Sequence, residues 1–271
     1  MIRILSILVG LFFSVALLWS FGNGAAAFIG EPPVATVESV FHKHPKEVHF
    51  ASDGAFGKFD NQQLQRGLKV YKEVCAACHS LSHVAFRDLK AIGYNDDEVK
   101  AIAKGFQVPA YNKATGEVTT KEGVATDYFP PVAYGGQGSP PDLSLITKAR
   151  HNGAAYTYSL LTGYQAQPAG LLKQFPAAKT PEGLHYNPYF ANLNLSMPAP
   201  LTSDDQVSYT DGTRASVDQM AKDVSAFLIW TAEPKLDKRK QTGWAVLGFL
   251  LFATVLAYMA YRNVWAEKKG H

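Results

Sequence analysis

Cysteine is nearly absent from this chain, with 2 in 271 residues. That scarcity excludes a disulfide framework of the kind that holds small secreted scaffolds, and a zinc site built from cysteines alone cannot be completed. Charge is modest, at 18% against 47% hydrophobic residues. This balance suits one ordinary domain or two small ones and rules out a disordered or collagen-like polymer. Internal repeats are missing, and apolar–polar alternation is rarely sustained. A mostly helical chain with long irregular connections is therefore expected. The body also lacks an excess of positive charge: the formal +3 divides into +1 over residues 1–27, −3 over 28–234 and +5 over 235–271. The basic pI thus gives no reason to expect nucleic-acid binding, and a mildly acidic body favours basic partners.

Two long apolar runs stand out against this background. The start, MIRILSILVGLFFSVALLWSFGNGAAA, has an early arginine, an apolar stretch and three small residues. That is the layout of a cleaved export signal ending at Ala27, with an uncleaved membrane anchor as the alternative. Residues 243–261 carry no charge and span roughly 28 Å as a helix, close to the thickness of a bilayer core. Trp244, Tyr258, Tyr261 and Trp265 lie near its ends, with Lys238, Arg239 and Lys240 before it and Arg262, Lys268 and Lys269 after it, a pattern typical of membrane interfaces. The expected organisation is a signal peptide at 1–27, an exported domain at 28–234, and a membrane helix with a short cytoplasmic tail at 235–271. If the first run directs export, the body lies outside the cytoplasm.

Within the body, Asp60 is placed to cap a helix carrying Leu64, Leu68 and Tyr71 up to Cys75, and Ser216 with Gln219 reads as a capping box opening a helix stopped by Pro234. The Pro- and Gly-rich FPPVAYGGQGSPPD at 129–142 must be a shaped loop. Residues 111–123 suggest a small polar hairpin or excursion, and the segment bearing His42, His44 and His49 a mobile linker.

The string with the most chemistry is Cys75-Ala76-Ala77-Cys78-His79, the C-x-x-C-H attachment motif of a c-type haem. On one helical turn, positions i, i+3 and i+4 share a face. Two thiols can then join the two vinyl groups while the imidazole reaches the iron. A thioredoxin-like site would require a βαβ setting, and zinc would require further ligands from scattered histidines. With His79 as proximal ligand, its other ring nitrogen needs an acceptor. The Pro140-Pro141-Asp142-Leu143 stretch resembles the Pro-Asn-Leu turn of small cytochromes c, which nominates the Pro141 carbonyl, a plain surface loop being the alternative. Of four methionines, Met1 and Met259 lie in the apolar runs and Met220 on a helix stripe. Met197, set in LSMPAP, is left as candidate sixth ligand. His83, His151, His185 or an open position are the alternatives. Arg150, with Tyr156 beside it in sequence, is a candidate partner for haem propionates, which need cationic or hydrogen-bonding groups; it could equally be an ordinary surface arginine. The acidic groups Asp96, Asp97, Glu98 and Asp204, Asp205 could face a cationic redox partner or serve as solvated helix caps.

Longer strings extend the pattern: RGLKVYKEVCAACHSLSHVAFRDL at 66–89, TDYFPPVAYGGQGSPPDLSLITKARHNGAAYTYSLLTGY at 126–164, GLHYNPYFANLNLSMPAPL at 183–201, and MAKDVSAFLIWTAEPKLDKRK leading into the second apolar run. Through them the chain resembles the cytochrome c1 family, haem-bearing subunits of the cytochrome bc1 complex, in its bacterial form. The resemblance implies an all-α, class I cytochrome c-like domain with long insertions and one carboxy-terminal membrane helix. It implies one covalent haem c, Cys75 and Cys78 as anchors, His79 and Met197 as axial ligands, Arg150 as a propionate partner and Tyr156 near the haem. It further implies residence in the inner membrane with the haem domain periplasmic, and a dimeric complex with cytochrome b and a Rieske iron-sulfur protein. Electrons would pass from the Rieske centre to a cytochrome c, so the chain would be an electron carrier within a quinol-oxidising enzyme. A disulfide found in some bacterial members has no cysteines here. Two rival readings share the haem residues: a membrane-tethered cytochrome c working alone, and a haem peroxidase or gas sensor.

Overall fold

A computed structural model of the chain describes residues 2–31, 34–112, 115–136, 138–266 and 268. Lys113 and Ala114 in the expected hairpin, Gln137 in the Pro–Gly loop and Lys269 of the basic tail lie outside the described residues. The chain divides into two units, residues 1–42 and 43–271. In the first, helix α1 (Ile2–Gly30) runs unbroken through Ala27, and α2 (Val37–Phe41) opens on a reciprocal cap between Thr36 and Ser39.

The second unit begins with a surprise. The histidine-bearing stretch expected to be a mobile linker is tied down as a strap: Lys43 N donates to Pro188 O at 2.8 Å, Lys46 N to Ser159 Oγ at 2.8 Å, and Lys46 Nζ to Thr162 Oγ1 at 2.7 Å. Helix α3 (Asn61–Val70) starts where the Asp60 carboxylate accepts from Gln62 N and Gln63 N. It passes without a break into a π-helical turn, Tyr71–Cys75. A 3-10 turn (Phe86–Ile92) and α4 (Asp96–Lys104) follow. Strands β1 (Gln107–Tyr111) and β2 (Val118–Glu122) pair antiparallel as the expected polar hairpin. After the Pro–Gly loop come α5 (Ile146–Ala149), α6 (Gly153–Leu161) and α7 (Ala169–Gln174), then the short antiparallel pair β3 (His185–Tyr186) and β4 (Asn194–Leu195). The chain is thus mostly helical, and the all-α expectation is modified by two small sheets.

Helix α8 (Val217–Ala232) is the backbone of the core, with Met220, Val224, Phe227, Leu228 and Trp230 buried along it. It crosses α3 at Gly67, where a Cβ would lie 2.2 Å from Asp223 O and 2.6 Å from Phe227 Cβ; only glycine lets the helices approach this closely. Around the crossing, Tyr71 meets Phe129 edge-on at 5.7 Å, and Phe129 touches Phe86 at 4.5 Å. The crossing is pinned by a buried Asp223 carboxylate that accepts from Gln63 Nε2 (3.1 Å), Gln219 Nε2 (2.8 Å) and Arg66 Nε (2.9 Å). Gln219 is therefore committed to Asp223, and the capping box foreseen at Ser216 is only half made: Ser216 Oγ accepts from Gln219 N at 3.1 Å. Beyond Pro234 the chain resumes as α9 (Leu236–Ala266), longer than the 243–261 run expected. Both α1 and α9 are long and apolar enough to cross a membrane.

Candidate functional site

The π-helical turn carries Cys75 at its end, and Ala76 N donates back to Tyr71 O at 2.8 Å. Such one-turn expansions often mark functional positions, because they re-aim the residues that follow. The turn closes with Cys78 N and His79 N both donating to Cys75 O, at 3.1 and 2.9 Å. Both thiols and the imidazole are thereby gathered on one turn. Cys75 and Cys78 are free cysteines, and burial, helped by the neighbouring Cys78, pushes the Cys75 thiol up to about 12. Tyr71, whose hydroxyl burial holds well above its usual range, donates to His79 O at 2.9 Å and fixes the end of the turn.

The ring of His79 is oriented from the Pro–Gly loop. Its Nδ1 lies 2.8 Å from Pro141 O. With the proton on Nδ1, the imidazole donates to that carbonyl and Nε2 keeps its lone pair free. What holds Pro141 there is the next residue. The Asp142 carboxylate accepts from Ser80 Oγ (2.9 Å), Ser82 N (2.8 Å) and Ser144 N (2.8 Å), and Leu143 N donates to Ser80 O (2.9 Å). Burial alone would raise Asp142, but the hydrogen bonds from Ser144 and Ser82 outweigh it and bring the pKa down to about 2. The sequence offered Asp142 only as a neighbour of Pro141; its bracing role joins residues some 60 positions apart.

Met197 occupies a second group. It is half-buried beyond β4, and its carbonyl accepts from the Tyr164 hydroxyl at 3.0 Å. The preceding segment is anchored by the fully buried Asn187, whose Nδ2 donates to Leu160 O at 2.8 Å and whose backbone N donates to Leu193 O at 2.8 Å. Leu193 sits at φ 65°, a left-handed conformation that strains a branched residue and persists only where surrounding contacts impose it. Tyr156 and Tyr164 sense each other electrostatically, and Arg150 lies beside Tyr156. Burial raises the Tyr156 hydroxyl pKa while the guanidinium opposes the rise. Arg150 itself is exposed, with Nη1 donating to Ala149 O at 3.0 Å. Arg150, Tyr156, Tyr164 and Met197 thus form a connected neighbourhood, and Tyr164 is the member that sequence reasoning missed.

The rival ligands are placed as follows. His83 Nδ1 lies 3.0 Å from Ser82 Oγ, and His151 and His185 are exposed. Among the described residues, no group of three His, Cys, Asp or Glu side chains is gathered to hold a metal ion. The acidic clusters are engaged locally: Asn95 and Glu98 cap α4, Asp96 pairs with Lys90 and Asp97 with Lys100, and Asp204 accepts from Val217 N at 2.9 Å. The donor set suits a haem better than a bare metal. Two thiols, one imidazole with a single free nitrogen and one thioether would match two covalent anchors and two soft-to-borderline iron ligands.

A mostly helical domain whose one cysteine pair shares a turn with an oriented histidine has the make-up of an electron-transfer cytochrome. The comparison with known proteins narrows this. Residues 50–268 match the profile of the Cytochrome C1 family. The chain is 40% identical over 238 residues to "Cytochrome c1" of Rhodospirillum rubrum, covering 80% of this chain and 85% of that one. It is 39% identical over 259 residues to "Cytochrome c1 1, heme protein, mitochondrial" of Arabidopsis thaliana, with coverages of 92% and 81%. It is 40% identical over 236 residues to "Cytochrome b-c1 complex catalytic subunit, mitochondrial" of Candida albicans, with coverages of 84% and 79%. The chain belongs to the cytochrome c1 family.

Proposed function

We propose that this chain carries one covalently attached haem c and serves as the electron-transfer subunit of a cytochrome bc1 complex. It accepts one electron from a Rieske iron-sulfur protein and passes it to a cytochrome c. The observation that carries this reading is the 2.8 Å contact between His79 Nδ1 and Pro141 O on the same turn as Cys75 and Cys78. The domain is a class I cytochrome c-like unit at 28–234, preceded by a signal peptide at 1–27. It is followed at 235–271 by a membrane helix, residues 243–261 lying in the bilayer, and a short cytoplasmic tail. The complex resides in the inner membrane with the haem domain periplasmic. It contains cytochrome b and is dimeric.

In this reading Cys75 and Cys78 would hold the haem through thioether bonds, and His79 and Met197 would supply its nitrogen and sulfur ligands. The bound group contributes a one-electron change at iron, and no substrate bond is broken at it. Everything else is done by the polypeptide. Pro141 keeps the Nδ1 proton of His79 in place and raises the basicity of Nε2. Asp142 holds Pro141 still. Tyr164 fixes the backbone that presents Met197, which reduces the freedom of the thioether to swing away. Arg150 and Tyr156 offer donors for two propionates, whose charge needs compensation in a partly buried crevice. With both His79 and Met197 as ligands, small gases would find no open position at the iron, which separates this reading from a peroxidase or gas sensor.

The decisive functional experiment is antimycin-sensitive quinol to cytochrome c electron transfer in membranes with the chain deleted and then restored. Activity lost and regained is expected; unchanged activity after deletion would overturn the reading. Purification with mild detergent should bring down a cytochrome b and a Rieske protein, and isolation alone would favour the tethered shuttle. Replacement Met197→Leu should lower the reduction potential and let carbon monoxide bind the reduced protein. Neither effect is expected if the sulfur is not a ligand.

A further inference from the structure

Residues 51–59 make a tight turn folded onto the start of α9. Lys240 Nζ donates to Ser52 O at 2.6 Å and to Gly57 O at 3.2 Å. The Asp237 carboxylate accepts from Phe59 N at 3.2 and 3.3 Å, and Trp244 Nε1 donates to Ala55 O at 3.4 Å. The fold of the turn demands glycine at 57, where a Cβ would lie 1.9 Å from Asp53 O. The outcome of this construction is one aromatic pair. Phe56 lies flat on Trp244, with ring centroids 4.9 Å apart and planes inclined by 4°.

A stack held by so many bonds would normally be covered, yet Phe56 is 79% exposed and Trp244 48%. Burial of a large apolar side chain is favoured over its exposure to water. Its neighbours along α9 state what covers it. Directly after Trp244 the helix presents exposed Val246, Leu247, Phe249, Leu250 and Leu251. On the other side, Lys238 is exposed, and six residues at 1.5 Å each place it about 9 Å back along the helix. Lys58, also exposed, stands two positions from Phe56. Apolar surface, then an aromatic ring pair, then lysines is the order in which a phospholipid leaflet presents acyl chains, headgroup boundary and phosphates.

The geometry points to the 51–59 turn as a second membrane contact, in which Phe56 stacked on Trp244 seats in the acyl–headgroup boundary of an acidic phospholipid leaflet, with Lys58 and Lys238 at the level of the phosphates. This rests on the reading of α9 as a membrane span. A domain hung on a single helix can tilt about it, whereas a second point of contact fixes the tilt, and with it the height of the Cys75–His79 turn above the bilayer.

The test uses the full chain in its native membranes. Phe56→p-benzoylphenylalanine is irradiated and the peptide carrying position 56 is weighed. A mass increase equal to one phospholipid is expected. The same replacement at Tyr111, exposed in the β1 strand of the polar hairpin, should give no lipid adduct. Labelling of a protein subunit at position 56, absence of any adduct, or equal lipid labelling at 56 and 111 would each overturn the proposal. Washing the membranes with alkaline carbonate separates the two readings: release of the chain removes the span and the contact together, whereas retention without a lipid adduct removes the contact alone.

Discussion

The imidazole of His79 is oriented by the Pro141 carbonyl, and the Asp142 carboxylate braces that carbonyl without touching the ring. Asp142 gathers Ser80, Ser82 and Ser144, and the carbonyl of Pro141 is presented as a by-product. Because the folded pKa of Asp142, about 2, lies below the usual 3.8, its contribution is fully present above pH 4 and is lost as pH falls through about 2. Asp142→Asn should therefore lower stability at pH 7, on the order of 1 kcal/mol once solvent screening of this partly exposed group is allowed for, and should be nearly neutral near pH 2. Urea titrations at the two pH values check this, and an equal loss at both would contradict it. Tyr164→Phe removes the hydroxyl that holds Met197 O and should loosen sulfur ligation without unfolding the domain. A weakened sulfur-to-iron absorption band and faster carbon monoxide binding are the expected signs; a spectrum identical to the parent would contradict the assignment. Neither residue could be picked from sequence with these roles, since Tyr164 acts across 33 positions and Asp142 across 60 and 62, and such contacts leave no periodic trace.

At the scale of elements, the sequence was informative wherever a local rule operates. Asp60 caps α3, Pro234 ends α8, and the polar stretch near 111–123 forms a hairpin because capping, ring closure and turn chemistry act over a few residues. It was silent where elements meet. Gly67 reads as a poor helix residue, yet it is where α3 rests on α8, and the Lys43–Lys46 strap looks like a linker until Ser159, Thr162 and Pro188 bind it. Gly67→Ala is accordingly a sharp test. Intrinsic propensity favours alanine by about 1 kcal/mol in a helix, whereas overpacking against the Asp223 and Phe227 backbone and Cβ should cost roughly 1–3 kcal/mol. A lowered unfolding midpoint is expected, and a raised one would mean the helices can separate freely. Arg66 belongs to the same junction. Burial works against its charge, but Asp223 and Asp211 restore and strengthen it, raising its pKa.

For the molecule as a whole, charge and apolar surface divide the labour. The body from 28 to 234 is net −3 and the segment from 235 onward net +5. An acidic domain should speed encounter with a basic cytochrome c, so the second-order rate of electron transfer to it should fall as ionic strength rises; a rate independent of salt would count against electrostatic steering. The C-x-x-C-H string was the most legible part of the sequence, because covalent haem attachment would require fixed residue types at fixed spacing. The bracing loop and the interfacial turn were not, because they are products of tertiary structure. All of the functional account depends on a haem joined to Cys75 and Cys78, and the most direct measurement of that is the intact mass of the denatured chain purified from cells that express it. The account predicts the mass of the polypeptide plus one haem, surviving denaturation; a mass equal to the polypeptide alone would contradict it.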